Sequence, residues 1–191
     1  MIETAIDLFS RKGFSGTTTK EIAAAAGVTE AIVFRHFATK RDLYRAILES
    51  KLRTSEVDEW LRQADVLMQQ RDDEALFRFL MSAILEQFRK DPRFERLIVF
   101  AALEGEDLAV MHNQVAAPIA QKLIDYIARR QRAGALRKGN PLNILFAVVG
   151  IAKFYAIQKY IYTNCEGGPP DAEVVETFLR LLMDGLRTKK Q

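Results

Sequence analysis

Apolar residues in this chain recur three and four positions apart almost without interruption, and nowhere in a sustained alternation of two. Ile2, Ala5, Ile6 and Phe9 set the pattern, and Phe77, Leu80, Met81, Ile84 and Phe88 carry it over three turns. Phe94, Leu97, Ile98, Ala101 and Ala102 repeat it, as do Val174, Phe178, Leu181 and Leu182. That spacing lines one face of a helix, and no turn flanked by alternating residues offers a hairpin. The fold class it predicts is all-α. With 49% apolar residues in 191, and 28 Lys+Arg against 25 Asp+Glu, the chain has ample material for an interior and lacks the composition of a disordered segment.

Breakers divide the pattern into about nine helices. Gly13 ends the first, and Thr18-Thr19-Lys20-Glu21 is a capping box that opens a second helix reaching to Gly27. Thr29 caps a short third helix, and Thr39-Lys40-Arg41-Asp42 opens a long fourth with Asp in place of Glu. Longer segments follow at roughly 72–90, 92–104, 107–134, 141–164 and 171–188, set off by Pro92, Gly134, Pro141 and Pro169-Pro170. The change in element length near residue 50 predicts a small unit, residues 1–46, and a larger helical body, residues 47–191. Without a Gly/Ser linker between them, the fourth helix is expected to bridge both.

Several function classes lose support at once. The single Cys165 cannot form an internal disulfide, which points to the cytoplasm. The longest apolar run, Ile144 to Ala152, ends at Lys153 and is about half of the ~18 residues that suggest a membrane span, so no membrane partner is expected. Met1 to Asp7 has no cationic lead and does not read as a secretory signal. The two histidines, His36 and His112, lie far apart, so a metal shell is not expected. No Gly-rich phosphate loop, no Gly-x-Ser-x-Gly and no His-Glu-x-x-His is present, so neither an enzyme nor a cofactor is expected. Glu104, Glu106 and Asp107 read as a solvated helix start.

Residues 19–37 place two short helices on either side of Gly27-Val28, where glycine can take the left-handed backbone of a tight turn. The small residues Ala23 to Ala26 let the helices approach closely, which is helix-turn-helix geometry. In such a unit the second helix enters the major groove of DNA. Thr29, Glu30, Arg35 and His36 supply an outer polar face, with Val33 and Phe37 turned inward. Residues 1–50 carry seven Lys+Arg and six Asp+Glu, so charge supports this reading only through placement, with Lys40 and Arg41 just past the second helix.

Phe9, Gly13-Phe14, Thr17-Thr18-Thr19, Ile22-Ala23, Ala26-Gly27-Val28-Thr29, Val33-Phe34, His36-Phe37, Lys40 and Leu43 together resemble the N-terminal signature of TetR/AcrR-type transcriptional regulators. The resemblance is dense over about the first 50 residues and only architectural beyond them. It implies that Thr19, Thr29, His36 and Lys40 contact phosphates, and that Glu30, Ala31, Ile32 and Arg35 lie nearest the bases. Arg35 then reads guanine through O6 and N7, Ile32 or Ala31 packs on a thymine methyl, and Glu30 accepts from cytosine N4. Phe34 stands where the family usually has Tyr, so the ring's packing remains and a phosphate hydrogen bond is lost.

The same resemblance implies a homodimer on palindromic double-stranded DNA, with a body that binds a small-molecule effector and thereby releases the DNA, acting as a repressor. The segment near 141–164 is apolar on more than one side and, with 171–188, is the expected dimer surface. The effector is expected to be small and largely apolar or aromatic, with Trp60, Met81, Phe88, Phe100 and Phe154 as expected pocket residues. The alternative is a small-molecule-binding helical bundle without DNA-reading activity.

Overall fold

A computed structural model of the chain describes residues 1–52, 54–162 and 168–187. Cys165 and the end of the last segment at 188 lie outside them. Among the described residues there are ten α-helices: α1 Ile2–Lys12, α2 Thr19–Ala25, α3 Glu30–His36, α4 Lys40–Leu52, α5 Ser55–Gln70, α6 Asp73–Lys90, α7 Arg93–Glu104, α8 Glu106–Arg132, α9 Pro141–Ala156 and α10 Asp171–Leu186. α9 runs on into a π-helical turn, Ile157–Tyr162. No strand occurs among the described residues beyond one isolated bridge, Leu136 to Arg187.

The expected long fourth helix is two helices. α4 stops at Leu52, and a separate α5 begins at Ser55, where the Thr54 hydroxyl accepts the Val57 N–H at 3.2 Å. That is an N-cap interaction, and Thr54 is the signal in the sequence that marks the new start.

The chain forms two compact units. The first comprises Met1–Val57 with Pro92–Ala117, and the second Asp58–Asp91 with Pro118–Gln191. Packing therefore groups α7 and the first part of α8 with the N-terminal helices, a different cut from the expected one after residue 46. Two of the crossings fall at a proline. Pro118 sits inside α8, where it has no N–H to donate to the carbonyl one turn back.

In the first unit, Ala5, Ile6 and Phe9 of α1 share a buried core with Leu97, Ile98 and Ala101 of α7 and with Leu43, Tyr44, Ile47 and Leu48 of α4. These are the positions that the three-and-four spacing selects. At its centre Phe9, Phe14 and Tyr44 form an aromatic trio, with ring centroids 5.4 Å apart for Phe9 and Phe14 and 5.7 Å for Phe14 and Tyr44. Polar contacts frame it. Glu104, expected on a solvated helix start, instead accepts the Ser15 backbone N–H at 3.0 Å, and Asp107 pairs with Arg41 at 2.9 Å. Gly13, at φ +74°, leaves room for Glu104, whose carboxylate a Cβ would strike.

In the second unit, Phe77, Leu80, Met81 and Phe88 of α6 pack with Leu145, Val148 and Ala152 of α9 and with Val175, Leu179 and Met183 of α10. The nearly buried Asp73 takes both arms of the Arg130 guanidinium, at 2.8 and 2.9 Å, and the Tyr126 hydroxyl at 2.6 Å. This pairing holds Arg130 above its ordinary range. A carboxylate matched by a planar fork and a hydroxyl is a satisfied polar site, which ties the start of α6 to α8.

The Tyr44 ring is fully buried, yet its hydroxyl has no hydrogen-bond partner among the described residues. Burial raises its pKa, so the phenol stays neutral. Removing a buried, unpaired hydroxyl removes a desolvation cost of about 1 to 3 kcal/mol. Tyr44→Phe is therefore expected to leave stability unchanged or raise it by up to about 1 kcal/mol, as read by urea unfolding; a loss larger than 1 kcal/mol would show that the hydroxyl is bonded.

Candidate nucleic-acid interface

α2 is fixed at its start by a complete capping box. The Thr18 hydroxyl accepts the Glu21 N–H at 3.1 Å, and the Glu21 carboxylate accepts the Thr18 N–H at 2.8 Å. Lys12 adds an ion pair to Glu21 at 2.7 Å, and this bond together with those from Thr18 pulls the Glu21 carboxyl down to about 2. Beyond α2, Gly27 takes φ +68°, and the Val28 N–H closes the turn on the Ala23 carbonyl at 3.0 Å. A residue with a Cβ would be strained in that left-handed conformation.

α3 leaves this turn with Val33 fully buried beneath it and Phe37 packed against the first unit's core. Ala31, Phe34, Arg35 and His36 are exposed on it, with Phe34 48% accessible. Thr29, which precedes it, is exposed as well, and its hydroxyl makes no capping bond. These five residues form an open face of mixed chemistry, with one guanidinium, one imidazole, one aromatic ring, a methyl and a hydroxyl.

The remaining residues expected to meet DNA are half-buried and occupied differently. Thr19 donates its hydroxyl to Glu30 Oε1 at 2.5 Å. Ile32 lies on the flank of α3. Lys40 Nζ donates to the carbonyls of Phe14 and Thr17, at 2.7 and 2.8 Å, and sits 4.3 Å from the centroid of the Phe14 ring. Desolvation lowers the Lys40 pKa from its ordinary value. These contacts span 11, 23 and 26 positions, which no local pattern in the sequence encodes.

The five expected pocket residues have different settings within their units. Met81 and Phe88 are fully inside the second unit's core, and Trp60 packs against that core, stacked on Phe79 at 5.7 Å. Phe100 is half-buried on α7 of the first unit, and Phe154 is 63% exposed on α9. A cleft of about 620 Å³ in the second unit is lined instead by charged and polar groups, among them Glu86, Arg89, Lys159, Tyr160 and Asp171. Within it Asp171 accepts from Lys159 at 2.9 Å and from Tyr160 at 2.6 Å. No three metal-ligating side chains gather among the described residues.

Two family models match the chain: bacterial regulatory proteins, tetR family, over residues 1–47, and tetracyclin repressor-like, C-terminal domain, over residues 80–180. The chain belongs to the TetR family. It is a helix-turn-helix transcriptional regulator of that family, with α2 and α3 as the helix-turn-helix. The HTH-type transcriptional regulator RutR of Escherichia coli K12 is 26% identical over 196 aligned residues, 99% of this chain and 90% of that protein. The same fold is found in FadR of Bacillus subtilis in complex with stearoyl-CoA, with a TM-score of 0.77, 13% identity and 96% of each chain covered. AibR in complex with isovaleryl coenzyme A and operator DNA shares it at a TM-score of 0.69 and 22% identity, with 95% of each chain covered.

The TetR-family helix-turn-helix here carries its own acid sensitivity. Because the folded-state pKa of Glu21 is about 2, below its ordinary 4.5, the capping box contributes fully above about pH 4.5 and is lost as pH falls towards about 2. The stability difference between the wild-type protein and Glu21→Gln, from thermal unfolding across that range, is expected to shrink steadily as pH falls. A difference that stays constant with pH would assign the cap to its hydroxyl alone.

Proposed function

We propose that this regulator is a repressor that reads a palindromic operator as a homodimer and leaves it when a small, largely apolar effector binds the body. Residues 1–46 read the DNA, and residues 47–191 bind the effector and dimerise. The observation that carries this reading is the open face of α3, where Arg35 and Phe34 stand exposed on a rod braced from behind by Val33. Arg35 offers a guanidinium fork for guanine O6 and N7, Ala31 and Phe34 offer apolar surface to thymine methyls, and Thr29 and His36 donate to phosphates. Lys40 serves the face from behind, by holding the loop before α2. Meeting DNA in this way places the protein in the bacterial cytoplasm.

The apolar surface left on α9 and α10 supports the dimer. Phe146 (61%), Phe154 (63%) and Leu181 (66%) are exposed, on helices whose opposite faces are buried in the second unit's core. Pro141–Tyr162, 22 residues, is also long and apolar enough to cross a membrane by length and composition. A two-fold pairing of α9 and α10 accounts for the same surface, since two helices from each copy make a four-helix bundle with an apolar seam.

The effector reading draws on the ligands of the two structural neighbours, stearoyl-CoA and isovaleryl coenzyme A, and on the apolar interior of the second unit. An effector acts by favouring one conformer over another, and a coupling of about 1 to 3 kcal/mol is typical.

A mobility-shift titration of the duplex upstream of the regulator's own gene tests the DNA reading. A sequence-dependent shift is expected, reversed by a small apolar or aromatic compound from a panel that includes isovalerate and stearate, and not by free coenzyme A. Arg35→Ala relaxes base preference at a cost of about 1 to 3 kcal/mol, whereas Lys40→Met weakens all duplexes alike. Equal effects on preference would overturn these roles, and no shift with any duplex would leave a ligand-binding bundle. Sedimentation equilibrium tests the dimer: twice the chain mass of 21.7 kDa is expected, falling to one chain for Phe146→Asp with Leu181→Asp. A wild-type protein that sediments as one chain would remove the dimer.

A further inference from the structure

Thr19 opens α2 and Glu30 opens α3, and the bond between them is the only side-chain hydrogen bond that α3 makes among the described residues. Its 2.5 Å length marks a charge-assisted contact from a hydroxyl to a carboxylate. A threonine hydroxyl owns one proton, and a phosphate oxygen only accepts; while that proton is given to Glu30, Thr19 cannot offer it to a phosphate. The carboxylate is likewise directed back to α2. Glu30 is half-buried, whereas Ala31, Phe34 and Arg35 are exposed on the reading face.

α3 has reason to need this tie. It is seven residues long, too short to be stable by its own backbone bonds. Its N-cap, Thr29, makes no side-chain capping bond, so the first turn lacks the tether that such a residue usually supplies. Packing of Val33 and Phe37 holds the middle and the end of the helix, and the Thr19 contact holds the beginning.

We propose that Thr19 and Glu30 form a latch that fixes the start of the recognition helix against α2, so that Glu30 is a positioning residue for the DNA-reading face and not a reader of cytosine. The latch rests on the DNA-binding reading above. A carbonyl oxygen at position 30 can still accept from Thr19, so Glu30→Gln keeps the latch, as does Thr19→Ser. Glu30→Ala and Thr19→Val each break it.

The test starts with selection of binding sites by the wild-type protein from a pool of random duplexes. Affinities for the selected duplex are then measured for Thr19→Val, Glu30→Ala, their combination, Thr19→Ser and Glu30→Gln, with circular dichroism melting to establish that each is folded. Each latch-breaking substitution is expected to weaken binding about tenfold, and the combination by about tenfold also, where independent residues would give about a hundredfold. Thr19→Ser and Glu30→Gln are expected to stay within about threefold of wild type, and selection repeated with Glu30→Ala returns the same sequence. Multiplying losses, a Glu30→Gln as weak as Glu30→Ala, or a base pair whose preference changes in Glu30→Ala would each overturn the latch while the DNA-binding reading stands. A wild-type protein that selects no sequence would overturn both.

Discussion

The loop ahead of the helix-turn-helix is organised around one ammonium group. Lys40 stands at the start of α4 and reaches back to the loop between α1 and α2, where two carbonyls and one aromatic face surround its charge. Loop carbonyls have no ladder to join, and leaving them unpaired in a half-buried place is costly. A lysine suits the position because it is a compact charge on a long stem, able to serve two acceptors that do not share a plane. Phe14 gains twice, as the ring under the cation and as a ring packed edge-on to Tyr44 and tilted against Phe9. With Glu104 on the Ser15 N–H, the loop ahead of α2 is held by residues from α4 and from α7.

This explains which parts could be read from the sequence. The helices were legible because burial follows spacing: Ala5, Ile6 and Phe9 are all buried, as are Leu80 and Met81, and Val33 is the single fully buried residue of α3. The turn was legible because Gly27 needs a positive φ. What escaped was anything set by tertiary contact. Lys40 and Thr19 have the right chemistry for phosphates, and only the folded chain reveals that other groups already occupy them. The break between α4 and α5 is hard to read because no Gly or Pro marks it and Thr54 is a modest cap. Nor does the sequence separate the settings of the expected pocket residues, because a large aromatic side chain serves equally in a core, as at Phe88, and on an open face, as at Phe154.

α9 illustrates how one pattern serves two surfaces. A helix wetted on one side needs an apolar stripe, but this one has Val148 and Ala152 buried while Phe146 and Phe154 stand in water. Each large side chain left exposed forgoes about 1.5 to 3 kcal/mol of burial. Such a loss on adjacent helices is understandable where a second surface recovers it. Extra apolar width beyond one stripe is thus the trace that the proposed dimer would leave in a sequence. The chemistry of whatever occupies the interior has no comparable trace.

The charge of the DNA-reading unit sets how it can bind. Of the seven cations in residues 1–50, Arg11 is paired with Asp7, Lys12 with Glu21 and Arg41 with Asp107, and Lys40 is held by carbonyls. Lys20, Arg35 and Arg45 are exposed and make no such ion pair among the described residues. Counterion release scales with the phosphates neutralised, so a unit with few free cations gains little from the backbone of DNA regardless of sequence. On the proposed reading, affinity then comes more from shape and from base edges, which Arg35 and the apolar groups beside it would meet. A reader of that kind tolerates little error in helix orientation. That makes the fixed start of α3 and the braced loop behind it requirements of recognition, beyond any service they give to stability.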